Sequence, residues 1–219
     1  MAMQKRAIVT LDKIISGAAD VFFKVGYDAA SIAAIAESAG ATKGALYFHF
    51  SSKEELARAV IDQGHRVSSL GAQQILETTD SPVETMMLMC ADLANGLVND
   101  PLVRAGIRLT TGGPIFDPPT RAPYDDWLQT FEHLVRRAVE AGELAPATDP
   151  AKLAHFIIPS FTGIQLLSDV LTGMDDLMDR VREMWEFLLP SVAAPDRLDT
   201  LSALLPEVFV RRGGAGVQR

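Results

Sequence analysis

Apolar residues recur at alternating spacings of three and four along most of the chain, the repeat of a helical face and not the every-second-residue repeat of a strand. Ile8, Leu11, Ile15, Ala18 and Phe22 mark a first helix that ends near Gly26. From Ser31 to Phe50 the run SIAAIAESAGATKGALYFHF reads as two short helices broken by a glycine turn. Ser31 is placed to cap the first by accepting an orphan backbone N–H, and Ile32, Ile35 and Ala36 share its inner face. Gly40 suits the left-handed position past that helix, and Thr42 is placed to cap the next, which runs to about His49. Leu46 and Phe50 then point inward and leave Lys43, Gly44, Ala45, Tyr47 and His49 outward. Ser51 with Glu54, and Ser52 with Glu55, form overlapping S-x-x-E capping boxes at the head of a longer helix that continues toward Ile75.

Further helices are expected over 83–99, 101–112, 124–142, 150–173, 174–193 and about 195–211, with 116–123 an irregular loop because it holds Pro118, Pro119 and Pro123. No strand pattern, repeat or low-complexity segment occurs. The expected fold is all-α: a three-helix helix-turn-helix module over 1–51, joined without a flexible linker by the helix from 52 to a larger ligand-binding and dimerisation domain over 52–219.

The 150–173 helix is apolar nearly all round, with Phe156, Ile157, Ile158, Phe161, Ile164, Leu166 and Leu167, so it needs covering on two sides. One cover is a helix of the same subunit and the other a second copy. The 150–173 helix and the 174–193 helix with Trp185 are therefore expected to form a dimeric four-helix bundle. Thr162 and Gln165 interrupt the apolar surface, where an unpaired polar group is costly. They either bond backbone carbonyls, a stronger reading for Thr162 than for Gln165, or orient a ligand together with Gln129 or Gln63. The cavity for such a ligand is expected to be lined by Met86, Met89, Leu93, Thr110, Trp127, Phe131 and Phe161.

The net charge of −8 is unevenly placed. Up to Gln63 seven bases balance seven acids, so the whole excess of acid lies beyond that point. An acidic second part limits non-specific attraction to polyanions and leaves recognition to local bases such as Lys5, Arg6, Lys43 and Lys53. On the outward face of the second short helix Lys43 supplies charge, Gly44 and Ala45 admit a close backbone, and Tyr47 and His49 can donate to phosphates.

Chemistry of other kinds finds little support. Cys90 is the single cysteine, which excludes an internal disulfide, and among Met86, Met87, Leu88 and Met89 it reads as inert core. Asp125 and Asp126 are adjacent and point about 100° apart on a helix, poorly set for paired acid–base work. His49, His65, His133 and His155 lack metal-ligand spacing. Neither enzyme activity nor a cofactor or metal is expected. The amino terminus has no apolar run behind MAMQKR, and the uncharged stretch from Leu153 to Ser168 contains Pro159 and reads as a buried helix. The expectation is a cytoplasmic protein without a membrane segment, on the nucleoid when bound to DNA.

Gly26-Tyr27, the helix from Ser31, Gly40 and above all TKGALYFHFSSKEEL over 42–56 resemble the amino-terminal domain of the tetracycline-repressor (TetR) family of bacterial regulators. The resemblance implies a homodimer on near-palindromic operator DNA, touched by Lys5, Arg6, Ser31, Thr42, Lys43, Gly44, Ala45, Tyr47, His49 and Lys53. PLVRAGIRLTTGG over 101–113, the proline-rich loop and Trp127 resemble the γ-butyrolactone autoregulator receptors within that family. That narrower resemblance implies a repressor of antibiotic-biosynthesis and regulatory genes, released by a lactone, butenolide or furan signal over which Trp127 stacks. A pI near 5.0 suits this subgroup. The alternative is a TetR-like multidrug sensor controlling an efflux pump. A cationic drug would call for a buried acid, with Glu84, Asp92 and Glu132 the candidates.

Overall fold

The computed structural model describes residues 2–112 and 116–210, and side chains from residue 9 onward. The side chains of Lys5, Arg6 and Ile8 lie outside the described residues. The described elements are helices α1 (Ala2–Ala29), α2 (Ile32–Ser38), α3 (Lys43–His49), α4 (Lys53–Ile75), α5 (Pro82–Asn99), α6 (Pro101–Thr111), α7 (Ala122–Glu140), α8 (Pro150–Thr172), α9 (Leu177–Val192) and α10 (Leu198–Val208). The one extended pairing among them is an isolated bridge between Leu144 and Ala193. The expected all-α architecture is the observed one.

The chain forms two compact units, 1–68 with 100–121, and 69–99 with 122–219. This division differs from the expected boundary at 51/52, because α6 and α4 as far as Ser68 belong with α1–α3. Two glycines explain the association. A Cβ at Gly64 would lie 2.8 Å from the Leu102 carbonyl oxygen, and one at Gly106 would lie 3.4 Å from that of Val60. The backbones of α4 and α6 therefore touch, a closeness that hydrophobic periodicity does not encode. Ile14, Ala18, Phe22, Ile35, Leu46, Leu56, Ile61 and Leu109 fill this first core. Ile14 is fully buried, whereas Leu11, expected on the inner face, is half-buried at the core's margin.

In the second unit α5 carries the buried Met86, Met87, Met89 and Cys90. Burial pushes the Cys90 thiol up to about 12, so it stays protonated and unreactive at neutral pH. A buried carboxylate that periodicity did not single out, Glu143, ties the unit together. Its Oε2 accepts from the Val83 N–H at the head of α5 (2.9 Å), and Arg197 lies 4.0 Å from its Oε1. The backbone carbonyl of Glu143 accepts from Ala194, and that of Val192 from Ala145, so the α7–α8 loop is laced to the end of α9.

Helices α8 and α9 each have two apolar faces, which corrects the expected place of Trp185. Trp185 is 1% exposed and shares the inner face of α9 with Leu177, Val181 and Leu188. Phe187, two residues on and about 200° round the helix, is 83% exposed. On α8, Ile157, Phe161 and Gln165 face the core, while Phe156, Leu166, Leu167, Val170 and Leu171 are exposed. By length and composition α8 could cross a membrane. Folded here, its outer apolar side instead forms an open groove with α9, lined by Phe156, Ile164, Leu167, Met184, Phe187 and Leu188.

The α8–α9 turn passes through left-handed Gly173 and Met174 and is held by Asp176. Its Oδ1 accepts from Ser168 Oγ (2.6 Å) and Thr172 Oγ1 (2.7 Å), and its Oδ2 from Arg180. These hydroxyl bonds, with the Arg180 charge behind them, hold the carboxyl at about 2, below the ordinary aspartate value. A depressed carboxyl stabilises the folded state above its unfolded value and loses that contribution as pH falls toward the folded one. Unfolding midpoints of the wild type should therefore fall between roughly pH 4 and pH 2 more steeply than those of Asp176→Asn, measured by circular dichroism. Parallel curves would remove Asp176 from the acid response.

Candidate functional site

The DNA-reading candidate is built from local capping outward. The Ser31 hydroxyl accepts from Ala34 N–H (3.1 Å) and the Thr42 hydroxyl from Ala45 N–H (3.1 Å), as their positions in the sequence require. Each hydroxyl keeps its own proton for an external acceptor. Gly40 has φ of 59°, a left-handed turn that brings α3 off the end of α2 at a fixed angle. The turn also depends on Gly17 of α1, where a Cβ would stand 2.6 Å from the Ala39 backbone nitrogen. Leu46 and Phe50 are buried and anchor α3.

The opposite face of α3 is open. Lys43, Gly44 and Tyr47 are exposed, and Ala45 and His49 are partly so. Phe48, which sequence reasoning passed over, is 81% exposed, its ring edge-on to His49 at 5.2 Å. The signal was present: of the aromatic positions on this short helix, Phe48 is the one that cannot reach the core if Leu46 and Phe50 do. A Cβ at Gly44 would meet only the Thr42 hydroxyl, at 3.8 Å. Nothing among the described residues therefore requires glycine there, although glycine costs a helix about 1 kcal/mol relative to alanine.

Lys53 was expected on the DNA side and is held elsewhere. Its ammonium donates to the carbonyls of Tyr27 (2.9 Å), Ala30 (3.2 Å) and Asp28 (3.3 Å) and sits 4.4 Å from the centre of the Tyr27 ring. All three donors are engaged with the end of α1. The capping at the head of α4 also differs in detail. Ser52 Oγ accepts from Glu55 N–H (3.0 Å), but the Glu55 carboxylate turns to the backbone and hydroxyl of Ser51 (both 2.7 Å). Those two bonds lower its pKa. Glu54, expected to box with Ser51, instead pairs with Arg58 at 2.8 Å.

The ligand candidates divide between the two units. Gln63 and Thr110 belong to the first, on α4 and α6, and the Thr110 hydroxyl donates back to the Gly106 carbonyl (2.8 Å). The second unit holds Met86, Met89 and Leu93 on α5, Trp127, Gln129 and Phe131 on α7, and Phe161, Thr162 and Gln165 on α8. Met86, Met89, Phe131 and Phe161 are buried, Leu93 and Trp127 partly so, and the Trp127 ring meets Phe131 edge-on at 6.2 Å. Gln129 points to the exposed side of α7, away from Phe131 and Leu134, and so does not join this apolar set. Thr162 donates to the Ile158 carbonyl (3.0 Å), the ordinary resting place of a helical threonine.

Gln165 is different. The buried polar side chains among the described residues are Thr85, Glu143, Gln165 and Ser168. Thr85 donates to the Ser81 carbonyl, Ser168 to Asp176, and Glu143 accepts from Val83. The Gln165 Oε1 has no partner and is sealed from solvent. The three acids weighed for a cationic ligand are unsuited to one: Asp92 is exposed, Glu132 pairs with Arg136 at 2.7 Å, and Glu84 accepts from Thr79.

Two family models match the chain: bacterial regulatory proteins of the tetR family over residues 14–60, and the tetracyclin repressor-like C-terminal domain over residues 80–194. The A-factor receptor protein of Streptomyces griseus is 39% identical over 195 residues, covering 89% of this chain and 68% of that protein. The crystal structure of a gamma-butyrolactone receptor (ArpA-like protein) superposes with a TM-score of 0.77 at 30% identity, over 93% of this chain and 97% of that one. The TetR-family protein CprB of Streptomyces coelicolor, solved in complex with its biological operator sequence, gives 0.77 at 30% identity over 93% and 98%. Capped helix pair, helical second unit and both family matches agree, and the chain belongs to the TetR family of bacterial transcriptional regulators.

Proposed function

We propose that this protein is a ligand-released repressor: a cytoplasmic homodimer that binds palindromic operator DNA and leaves it on taking up a small lactone-type signal, a γ-butyrolactone, butenolide or furan. Its targets are antibiotic-biosynthesis or regulatory genes, and its place when bound is the nucleoid. The observation that carries the reading is the open face of α3. Lys43 supplies charge, Tyr47 and His49 supply donors, Phe48 supplies an apolar surface for sugar or thymine methyl, and Gly44 gives the duplex backbone room. Ser31 and Thr42, through their free hydroxyl protons, belong to the same contact, and Lys5 and Arg6 to its amino-terminal flank. A glycine that costs helix stability and has no internal use is accounted for by what approaches from outside. Similarity to the operator-bound CprB supports this placement.

Dimerisation is supported by the α8–α9 groove. A soluble chain rarely leaves Phe156, Leu167, Val170, Leu171 and Phe187 exposed together, and a second copy of the same two helices covers them as a four-helix bundle. The signal is proposed to sit in the apolar core of the second unit, against Trp127, Phe131, Met86 and Phe161. Gln165 is its polar anchor: an acceptor without a partner costs about 1–3 kcal/mol, which a ligand hydroxyl offsets. The buried polar set has one carboxylate, Glu143, and it is already bonded, so an uncharged signal fits better than a cationic drug.

Fluorescence anisotropy on operator DNA separates the two lysines. Lys43→Ala should flatten the dependence of log affinity on log salt by about 0.9 for each phosphate that the lysine no longer neutralises, once in each protomer. Lys53→Met should leave that slope unchanged and instead lower stability by about 1–3 kcal/mol, since its bonds are internal and charge-assisted. Gly44→Leu should fold at least as stably as the wild type yet bind operator at least tenfold more weakly. Equal salt slopes for the two lysine variants would sink the assignment of the reading face.

Assembly is tested by position on one helix. Phe187→Glu should sediment as a folded monomer, whereas Trp185→Glu should unfold, because the first faces the groove and the second the core. A dimeric Phe187→Glu protein would place the interface elsewhere.

Trp127→Ala should retain operator affinity and lose most of the response to alkyl-substituted γ-butyrolactones, because an aromatic wall supplies much of the buried contact area. Gln165→Leu should keep binding to an O-methylated analogue while losing the preference for the free hydroxyl. Undiminished release from Trp127→Ala across active lactones would move the pocket.

A further inference from the structure

Residues 116–121, which lead into α7, are fastened to the DNA-facing unit and do not serve as a slack linker. Phe116 is 6% exposed, belongs to that unit's core and packs edge-on to Tyr27 at 5.7 Å. The Arg58 guanidinium on α4 lies 4.7 Å from the centre of the Phe116 ring. Its Nη1 donates to Thr120 Oγ1 (3.3 Å) and its Nη2 to the Pro118 carbonyl (3.0 Å), and Glu54 one turn earlier on α4 holds the same group at 2.8 Å. A planar fork serves three partners at once, and a lysine cannot reproduce that.

What the segment joins is as important as what holds it. The chain passes from one unit to the other three times: within α4 after residue 68, before α6 at 99/100, and after the loop at 121/122. Only two residues separate Thr120 from Pro123 in the first turn of α7, and Trp127 follows in its second turn. Pro118 and Pro119 restrict the backbone just before Thr120, and Pro123 restricts it at the head of α7. A displacement at the head of α7 therefore has little slack in which to dissipate before it reaches Arg58.

We infer that the 116–121 loop, bolted to α4 at Arg58, is a strut that carries the ligand signal from the head of α7 to the recognition helix, in addition to whatever the length of α4 transmits. The inference rests on the proposed ligand site beside Trp127. The core around Leu46, Leu56 and Ile61 does not include Arg58, and Phe116→Leu keeps an apolar side chain in it, so these substitutions are chosen to leave the DNA-facing module assembled.

The test uses full-length dimers of wild type, Arg58→Lys, Phe116→Leu and a variant with two glycines inserted after Arg121. Operator affinity is read by anisotropy with and without an alkyl-substituted γ-butyrolactone, and lactone affinity by calorimetry without DNA. Effector coupling typically amounts to about 5- to 150-fold. In the variants operator and lactone affinities should each stay within about threefold of wild type, while the factor by which lactone weakens operator binding falls at least threefold. Wild-type coupling in variants that still bind lactone overturns the strut. So does a folded Arg58→Lys protein that fails to bind operator, for the loop is then a brace and not a relay. If calorimetry finds no lactone binding to the wild type, the ligand reading fails by itself. The strut is then read from a double-mutant cycle on ligand-free operator affinity between Arg58→Lys and Pro123→Gly: coupling of threefold or more supports it, and additivity overturns it.

Discussion

The DNA-facing unit depends on one ammonium group. α1 bends at Gly26 (φ of 78°) and ends at Ala29, so the carbonyls of Tyr27, Asp28 and Ala30 lie in or past its last turn, that of Tyr27 accepting also from the Ala30 N–H (3.3 Å). Lys53 collects all three. The end of α1, the entry to α2 at Ser31 and the first residue of α4 are thereby fixed at a single point, and α3 is suspended between the two helices so positioned. The tilt of the reading face is thus a consequence of where Lys53 sits. Beneath the ammonium, Tyr27 lies tilted against Phe22 and edge-on to Phe116, and burial with the nearby Glu54 and Asp28 charges raises its pKa, so it remains a neutral ring under a cation. A positive charge close to the reading face is spent on the scaffold that aims it.

Local chemistry was legible and distance was not. The Ser31 and Thr42 caps, the left-handed Gly40 and the inward pair Leu46 and Phe50 depend on residues within four positions of each other, so the sequence states them directly. Helix order and limits were legible for the same reason, to within a few residues. Gly17, Gly64 and Gly106 matter because a backbone from elsewhere in the chain lies against them, and nothing beside them in sequence announces it. The placement of α6 with the DNA-facing unit follows from that closeness, and the loop attached by Arg58 follows from α6. Lys53 illustrates the same limit: a lysine next to a helix-turn-helix reads as a phosphate contact until the broken end of α1 is seen beside it.

Two-faced helices posed a separate problem. Periodicity tells which residues share a face but not which of two apolar faces is inside. On α9 the faces carry Trp185 and Phe187, and bulk alone favoured the tryptophan as the interface residue. The distinguishing feature is the company each keeps along the helix. Trp185 continues the run Leu177, Val181 and Leu188, whereas Phe187 lies beside Glu183 and Glu186, charged neighbours that leave an apolar side chain at a rim.

At the proposed ligand site, the polar content of the second core would link stability to release. Thr85, Ser168 and Glu143 are each satisfied by a neighbour, so the structure can pair its buried polar groups where the backbone allows. Gln165 alone of that set carries an acceptor with no partner, and the cost is borne by the free protein. In the proposed site, a ligand that supplies the missing donor would recover that cost only in conformations where Gln165 and the aromatic wall face it together. Uniform recovery in every conformation would bind the ligand tightly and release nothing. Release therefore depends on the difference between conformations, and linkage makes operator DNA oppose the ligand by the same factor with which the ligand opposes the operator. In a dimer the effect is felt twice, because two recognition helices must meet major grooves about 34 Å apart, and a change of angle in either breaks the match for both.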